Sequence, residues 1–114
     1  IHTAAFPGGE LRGQVLGAIV GRPFGAALTG AAERPTPVTT DAAGYAGLTL
    51  EGDTLSFQVG YRNLSGPLVA AHIHGPATAA GTAGVQFDLA PFHRGAFGVD
   101  GVFNGAVTLL PEQK

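Results

Sequence analysis

His72 and His74 stand two positions apart in the run Leu68-Val69-Ala70-Ala71-His72-Ile73-His74. If this run is a strand, alternation sends Val69, Ala71 and Ile73 to one face and Ala70, His72 and His74 to the other. The apolar set then faces the core, and the two imidazoles project together from Cα atoms roughly 6–7 Å apart. Neutral imidazole nitrogens at that spacing can chelate copper, zinc, nickel or iron. The same spacing equally suits two rings hydrogen-bonded to backbone or to a carboxylate, with no metal. A metal site also needs more than two ligands, so the remaining donors must come from elsewhere in the fold.

Other reactive side chains read more simply as structure. Glu10 and Arg12 lie two apart, share a strand face, and predict an ion pair or a turn clamp after Pro7-Gly8-Gly9. Asp41, Asp53, Asp88 and Asp100 occur singly at turns or strand ends, without the dense spacing of a calcium loop. Ser65 belongs to a Leu-Ser-Gly-Pro turn, and no nucleophile elbow, phosphate loop or metalloprotease pattern accompanies it. Asn63-Leu64-Ser65 is formally a glycosylation acceptor. Tyr45, Tyr61 and the phenylalanines are packing residues.

The elements that must carry these residues are short. Nineteen Gly and eight Pro break the chain every few residues, which leaves no room for a long helix and marks a succession of strands and turns. In Thr54–Tyr61, Leu55, Phe57, Val59 and Tyr61 alternate with Thr54, Ser56, Gln58 and Gly60, giving one apolar face. Tyr45–Leu50 precedes it as a partner, joined by the hairpin turn Glu51-Gly52-Asp53. Further strands are predicted at Leu11–Val20, Phe24–Thr29, Leu68–His74, Val85–Leu89, Gly98–Phe103 and Ala106–Leu110. Pro76–Gly84 reads as a loop, and Leu109–Lys114 as the start of a helix with Pro111 in its first turn. About eight such strands imply an all-β sandwich or barrel.

Composition narrows the function. The 114 residues allow one domain, and only 12% of them are charged, with a net charge of −2. The six Lys and Arg form no basic stripe, which argues against nucleic acid as a partner. Without cysteine there are no disulfides and no thiolate metal ligands. No apolar run reaches the length of a membrane span. Ile1 has no initiator Met or basic segment ahead of it, so the chain reads as a processed or excised piece.

The run Leu64-Ser65-Gly66-Pro67-Leu68-Val69-Ala70-Ala71-His72-Ile73-His74-Gly75-Pro76-Ala77 resembles the signature of chordin-type (CHRD) domains, as do Leu28-Thr29-Gly30 and Pro37-Val38-Thr39-Thr40-Asp41-Ala42-Ala43-Gly44-Tyr45-Ala46. The resemblance implies an immunoglobulin-like or superoxide-dismutase-like antiparallel β-sandwich. Its motif order is unusual. The family's closing pattern is similar to Ile1-His2-Thr3, Phe6-Pro7-Gly8-Gly9 and Glu10-Leu11-Arg12-Gly13-Gln14, which here stand first. Residues 1–20 are therefore expected to form a closing-strand segment, and residues 21–114 the CHRD-like core. That segment can fold back into its own domain, complete a neighbouring subunit, or mark one phase of a tandem array. An assembled polymer or tandem array is favoured, with Ile1, His2, Thr3, Pro7, Gly8, Gly9, Glu10, Leu11, Arg12, Gly13 and Gln14 at the junction.

The matched closing strand makes His2 the third candidate metal ligand, and His93, beside Phe92 and Arg94, the fourth. Were Ile1 a mature terminus, its α-amine could join His2 on copper. Copper is the expected ion, with zinc second. The expected function is an extracellular or cell-surface structural or interaction protein that is not an enzyme. It assembles by β-strand complementation into a homopolymer or tandem array, and binds a transition metal through histidines. Two alternatives stand beside it. One is a monomeric binding module of chordin type, as in the animal proteins that sequester secreted growth factors. The other is a copper redox enzyme, by analogy with another histidine-rich sandwich.

Overall fold

A computed structural model describes residues 1–15 and 23–113. Among these residues the regular elements are eight strands and three short 3-10 turns. The strands are β1 (His2–Thr3), β2 (Pro23–Leu28), β3 (Ala43–Glu51), β4 (Thr54–Arg62), β5 (Leu68–Ala70), β6 (His72–His74), β7 (Val85–Asp88) and β8 (Gly101–Thr108). One layer of the β-sandwich is an antiparallel sheet in the order β2-β3-β4-β8; the pairs β1-β5 and β6-β7 form the rest.

Alternation explains the large sheet. Leu48 is opposite Phe57 and Leu50 opposite Leu55, while Val59 is opposite Phe103 on the other side. These residues share one face and are buried, as is Tyr61. Thr54, Ser56 and Gln58 point the other way and are exposed. Phe103 is wholly enclosed, and burying a side chain of that size contributes about 1.5–3 kcal/mol. Leu11, Leu68, Ala71 and Leu89 close the same core from the opposite side.

Several boundaries differ from expectation. The strands expected at Gly98–Phe103 and Ala106–Leu110 are one strand, β8, which runs straight through Asn104-Gly105. Gly105 is not a break there. It faces inward against the Phe92 ring, where a Cβ has no room, so the glycine admits an aromatic side chain instead of ending the ladder. The expected helical start at Leu109–Lys114 is a 3-10 turn over Pro111–Gln113. Of the strand expected at Leu11–Val20, residues 16–20 lie outside the described residues. In the described part, Arg12 forms an isolated bridge to Thr29.

The strand expected at Leu68–His74 is two strands. Leu68 and Ala71 are both buried, an odd spacing that alternation cannot supply, and Val69 is 56% exposed instead of facing the core. The chain therefore changes partner at Ala71. Leu68–Ala70 pairs with β1 and His72–His74 with β7, and the Ala71 carbonyl accepts from Leu89 N at 2.9 Å.

In the single chain described, residues 1–14 lie along the edge of β5. His2 is opposite Ala70 and Thr3 opposite Leu68. The Arg12 and Thr29 backbones exchange hydrogen bonds of 3.0 and 2.9 Å, and Gln14 Nε2 donates to the Ala77 carbonyl at 3.0 Å.

The deepest anchor is Glu10, whose side chain is fully enclosed. Its Oε1 accepts from Thr3 Oγ1 at 2.9 Å and from Ser65 Oγ at 2.6 Å, and its Oε2 accepts from Thr40 Oγ1 at 2.6 Å and from Ser65 N at 3.0 Å. The expected pairing with Arg12 does not occur. Arg12 Nη2 instead donates to the Thr78 carbonyl at 3.4 Å. The turn-clamp alternative describes Glu10 better, because charge-assisted bonds from four donors satisfy its carboxylate without a cation.

Burial opposes ionisation of Glu10, but the hydrogen bonds from Ser65, Thr40 and Thr3 outweigh it and hold the carboxyl below the ordinary range. A depressed folded-state pKa adds stability that is fully present above the unfolded value, about pH 4.3, and is lost as pH falls through the folded value. Glu10→Gln should cost about 3 kcal/mol in urea denaturation at pH 7 and flatten the stability decline below about pH 4.

Candidate functional site: a three-histidine centre

β1 and β6 bring three histidines together. The rings of His2 and His72 have centroids 5.2 Å apart, and those of His72 and His74 are 5.6 Å apart. One nitrogen from each of His2, His72 and His74 lies within 4.8 Å of the others. His2 and His72 are half-buried and His74 is exposed, so the cluster sits at the surface.

Local backbone orients two of these rings. His2 Nδ1 lies 2.9 Å from the Pro7 carbonyl, and His74 Nδ1 lies 2.8 Å from the Ala83 carbonyl. A carbonyl only accepts, so each Nδ1 donates, and in the neutral tautomer this selects the lone pair is on Nε2. The Pro7 carbonyl is presented by the turn through Gly8 and Gly9. Gly9 has φ 125°, and a Cβ there would fall 2.7 Å from the Glu33 carboxylate oxygens. Only glycine fits that turn, which is how Pro7-Gly8-Gly9 serves His2.

His72 differs from both. Its Nδ1 is buried and has no hydrogen-bond partner among the described residues. Asp88, opposite it on β7, accepts from Ala90 N at 3.0 Å. Burial lowers the His72 pKa more than Asp88 raises it, and burial together with the Ile1 amine lowers that of His2. Both rings are therefore neutral at pH 7, the form that donates a lone pair to a metal.

His93 stands outside the cluster, contrary to its expected place as fourth ligand. Its Nε2 pairs with the Tyr61 hydroxyl at 2.7 Å, and its Nδ1 lies 2.9 Å from the Gly95 carbonyl. Both nitrogens are thus committed, and its ring packs on Phe97 and Phe103. The backbone bridge from His93 to Phe103 draws it to the β8 side of the core, which its loop position in the sequence does not disclose.

Residues 24–113 match the CHRD domain family. The chain belongs to that family. No curated protein and no solved structure matches it. CHRD domains are β-sandwich binding modules typical of extracellular proteins. In this CHRD domain, two of its motifs meet physically, because Glu10 of Glu10-Leu11-Arg12-Gly13-Gln14 binds Ser65 of Leu64-Ser65-Gly66. Sequence reading offered no pairing for Ser65 and Thr40 with Glu10. Their hydroxyls are the only signal available, and hydroxyls are common in turns.

Tyr61→Phe, which leaves His93 Nε2 unpaired, should cost about 1–2 kcal/mol in thermal unfolding. His93→Ala should likewise destabilise the protein while leaving any metal stoichiometry, read by elemental analysis, unchanged.

Proposed function

We propose that this CHRD domain is an extracellular binding module that carries a transition metal, copper first and zinc second, on His2, His72 and His74. The observation that supports this most is the convergence of three imidazole nitrogens within 4.8 Å. Small ring rotations bring such a set to the roughly 2.0–2.1 Å bonds of an imidazole–metal site. The buried, unpartnered Nδ1 of His72 fits the reading, since a buried polar atom without a partner costs about 1–3 kcal/mol that an ion at the cluster can relieve. An all-nitrogen donor set suits copper and zinc alike, and the carbonyl-tethered rings of His2 and His74 are oriented as second-shell contacts orient metal ligands.

Among the described residues no other histidine or carboxylate side chain joins the cluster, and the Ile1 amine is engaged with the Leu11 carbonyl at 3.0 Å. A fourth ligand then comes from water or from a bound partner, consistent with a binding module. Redox turnover is the least favoured reading, since fold analogy alone speaks for it.

Assembly is a second reading, supported by the early position of Ile1-His2-Thr3 and Glu10-Leu11-Arg12-Gly13-Gln14 in the chain. The contacts that segment makes within its own domain would be equally available if a neighbouring copy supplied it. Light scattering and electron microscopy of the intact chain test this: filaments lost on deleting residues 1–14 support it, and monodisperse monomer at high concentration refutes it.

For the metal, titration calorimetry with Cu²⁺ and Zn²⁺ should give one ion per chain. His72→Ala or His74→Ala should weaken binding by at least about tenfold, and unchanged stoichiometry and affinity in both variants would remove the site. Because the His72 and His2 pKa values are lowered, protons compete poorly. Affinity should hold through neutral pH and fall only below the ordinary imidazole value of about 6.5.

A further inference from the structure

We propose that the metal on His2, His72 and His74 acts as a clasp, holding the N-terminal segment onto the sandwich and bridging a seam between two separate strand pairs. This rests on the metal reading above and assigns that site its role in the fold.

The seam is a consequence of the break at Ala71. β5 is paired with β1 and β6 with β7, and among the described residues no ladder joins the two pairs. Across the seam the covalent chain through Ala71 is supplemented by the packing of Ala71 and Ile73 on the core. The histidine cluster straddles this line, with His2 on β1 and His72 and His74 on β6.

β1 is a weak element by itself. It is two residues long, and its register with β5 shifts between His2 and Thr3. The segment behind it is held by Glu10, by Leu11 in the core, and by the Arg12–Thr29 bridge. His2 itself is tied to the sandwich through its backbone ladder with Ala70 and its buried neighbour Thr3, whereas the side-chain hydrogen bond described for it goes to Pro7 within the same segment. A metal is the tie that would join the His2 side chain to β6.

His2 and His72 are separated by most of the chain, so only the docked segment presents all three nitrogens together. An undocked segment leaves the His72–His74 pair alone, and an ion that prefers three ligands stabilises docking by its differential affinity. With free metal at a hundred times its Kd, and little affinity for the open form, opening becomes about a hundredfold rarer.

Hydrogen exchange on the intact chain with and without Zn²⁺ tests this, alongside metal analysis of the same samples. The reporters are the Glu10 and Leu11 amides, which donate to the Ile1 carbonyl at 2.8 and 3.3 Å, and the Arg12 amide, which donates to Thr29. Exchange there should slow by about ten- to a hundredfold on zinc addition. His2→Ala should abolish that slowing and weaken zinc binding, while His72 and His74 remain. The clasp is refuted if zinc binds one per chain, His72→Ala removes it, and yet these amides exchange at the same rate with and without metal. It is equally refuted if His2→Ala slows as the parent does. Absence of bound zinc and copper in the parent chain would instead overturn the metal reading itself, and the clasp with it.

Discussion

The enclosed carboxylate of Glu10 is the interaction on which the arrangement of this domain depends. It gathers Thr3 from β1, Thr40 from the approach to β3, and both the backbone and the hydroxyl of Ser65. A carboxylate without those donors would not remain ionised in the core. With them it ties three distant stretches of chain to one point. The hydroxyls also need the charge, because a neutral acceptor there would bind them less strongly. Every contact that places His2 lies within a few residues of this clamp.

From that point the geometry of the histidines follows. Glu10 and Leu11 fix the end of the N-terminal loop, and the Pro7-Gly8-Gly9 turn against Glu33 fixes its middle. The Pro7 carbonyl then sets the ring of His2. On the other side, the strand switch at Ala71 lets Leu68 and Ala71 both face the core while His72 and His74 share the outer side. A regular strand through this region would place either Leu68 or Ala71 in solvent. The change of partner resolves that conflict, and it leaves the imidazoles beside a gap between two short ladders.

The large sheet plays a different part. Its inward face of Leu48, Leu50, Leu55, Phe57, Val59, Tyr61 and Phe103 supplies about half of the buried apolar side chains and requires nothing from the N-terminal segment to define its register. It also takes His93, whose two nitrogens are used by Tyr61 and Gly95. Histidines of this chain thus serve two ends. One is a packing residue at the rim of the core, and three converge where a partly buried cluster faces outward.

Periodicity alone made the all-β class, the central hairpin β3–β4 and its buried face legible, because alternation depends only on the order of residues along one strand. The shared face of His72 and His74 was legible for the same reason. The closing motif marked His2 as a companion, although it did not say whose sheet His2 would join. Only the tertiary structure decided that His2 and Thr3 run beside Leu68–Ala70, that Glu10 answers to Ser65 and Thr40 and not Arg12, and that His93 belongs to Tyr61. It also decided that Leu68–His74 divides at Ala71. Each of these depends on which distant segment supplies the donor, the ladder or the cavity, and a one-dimensional pattern carries no information on pairing between segments far apart in the chain.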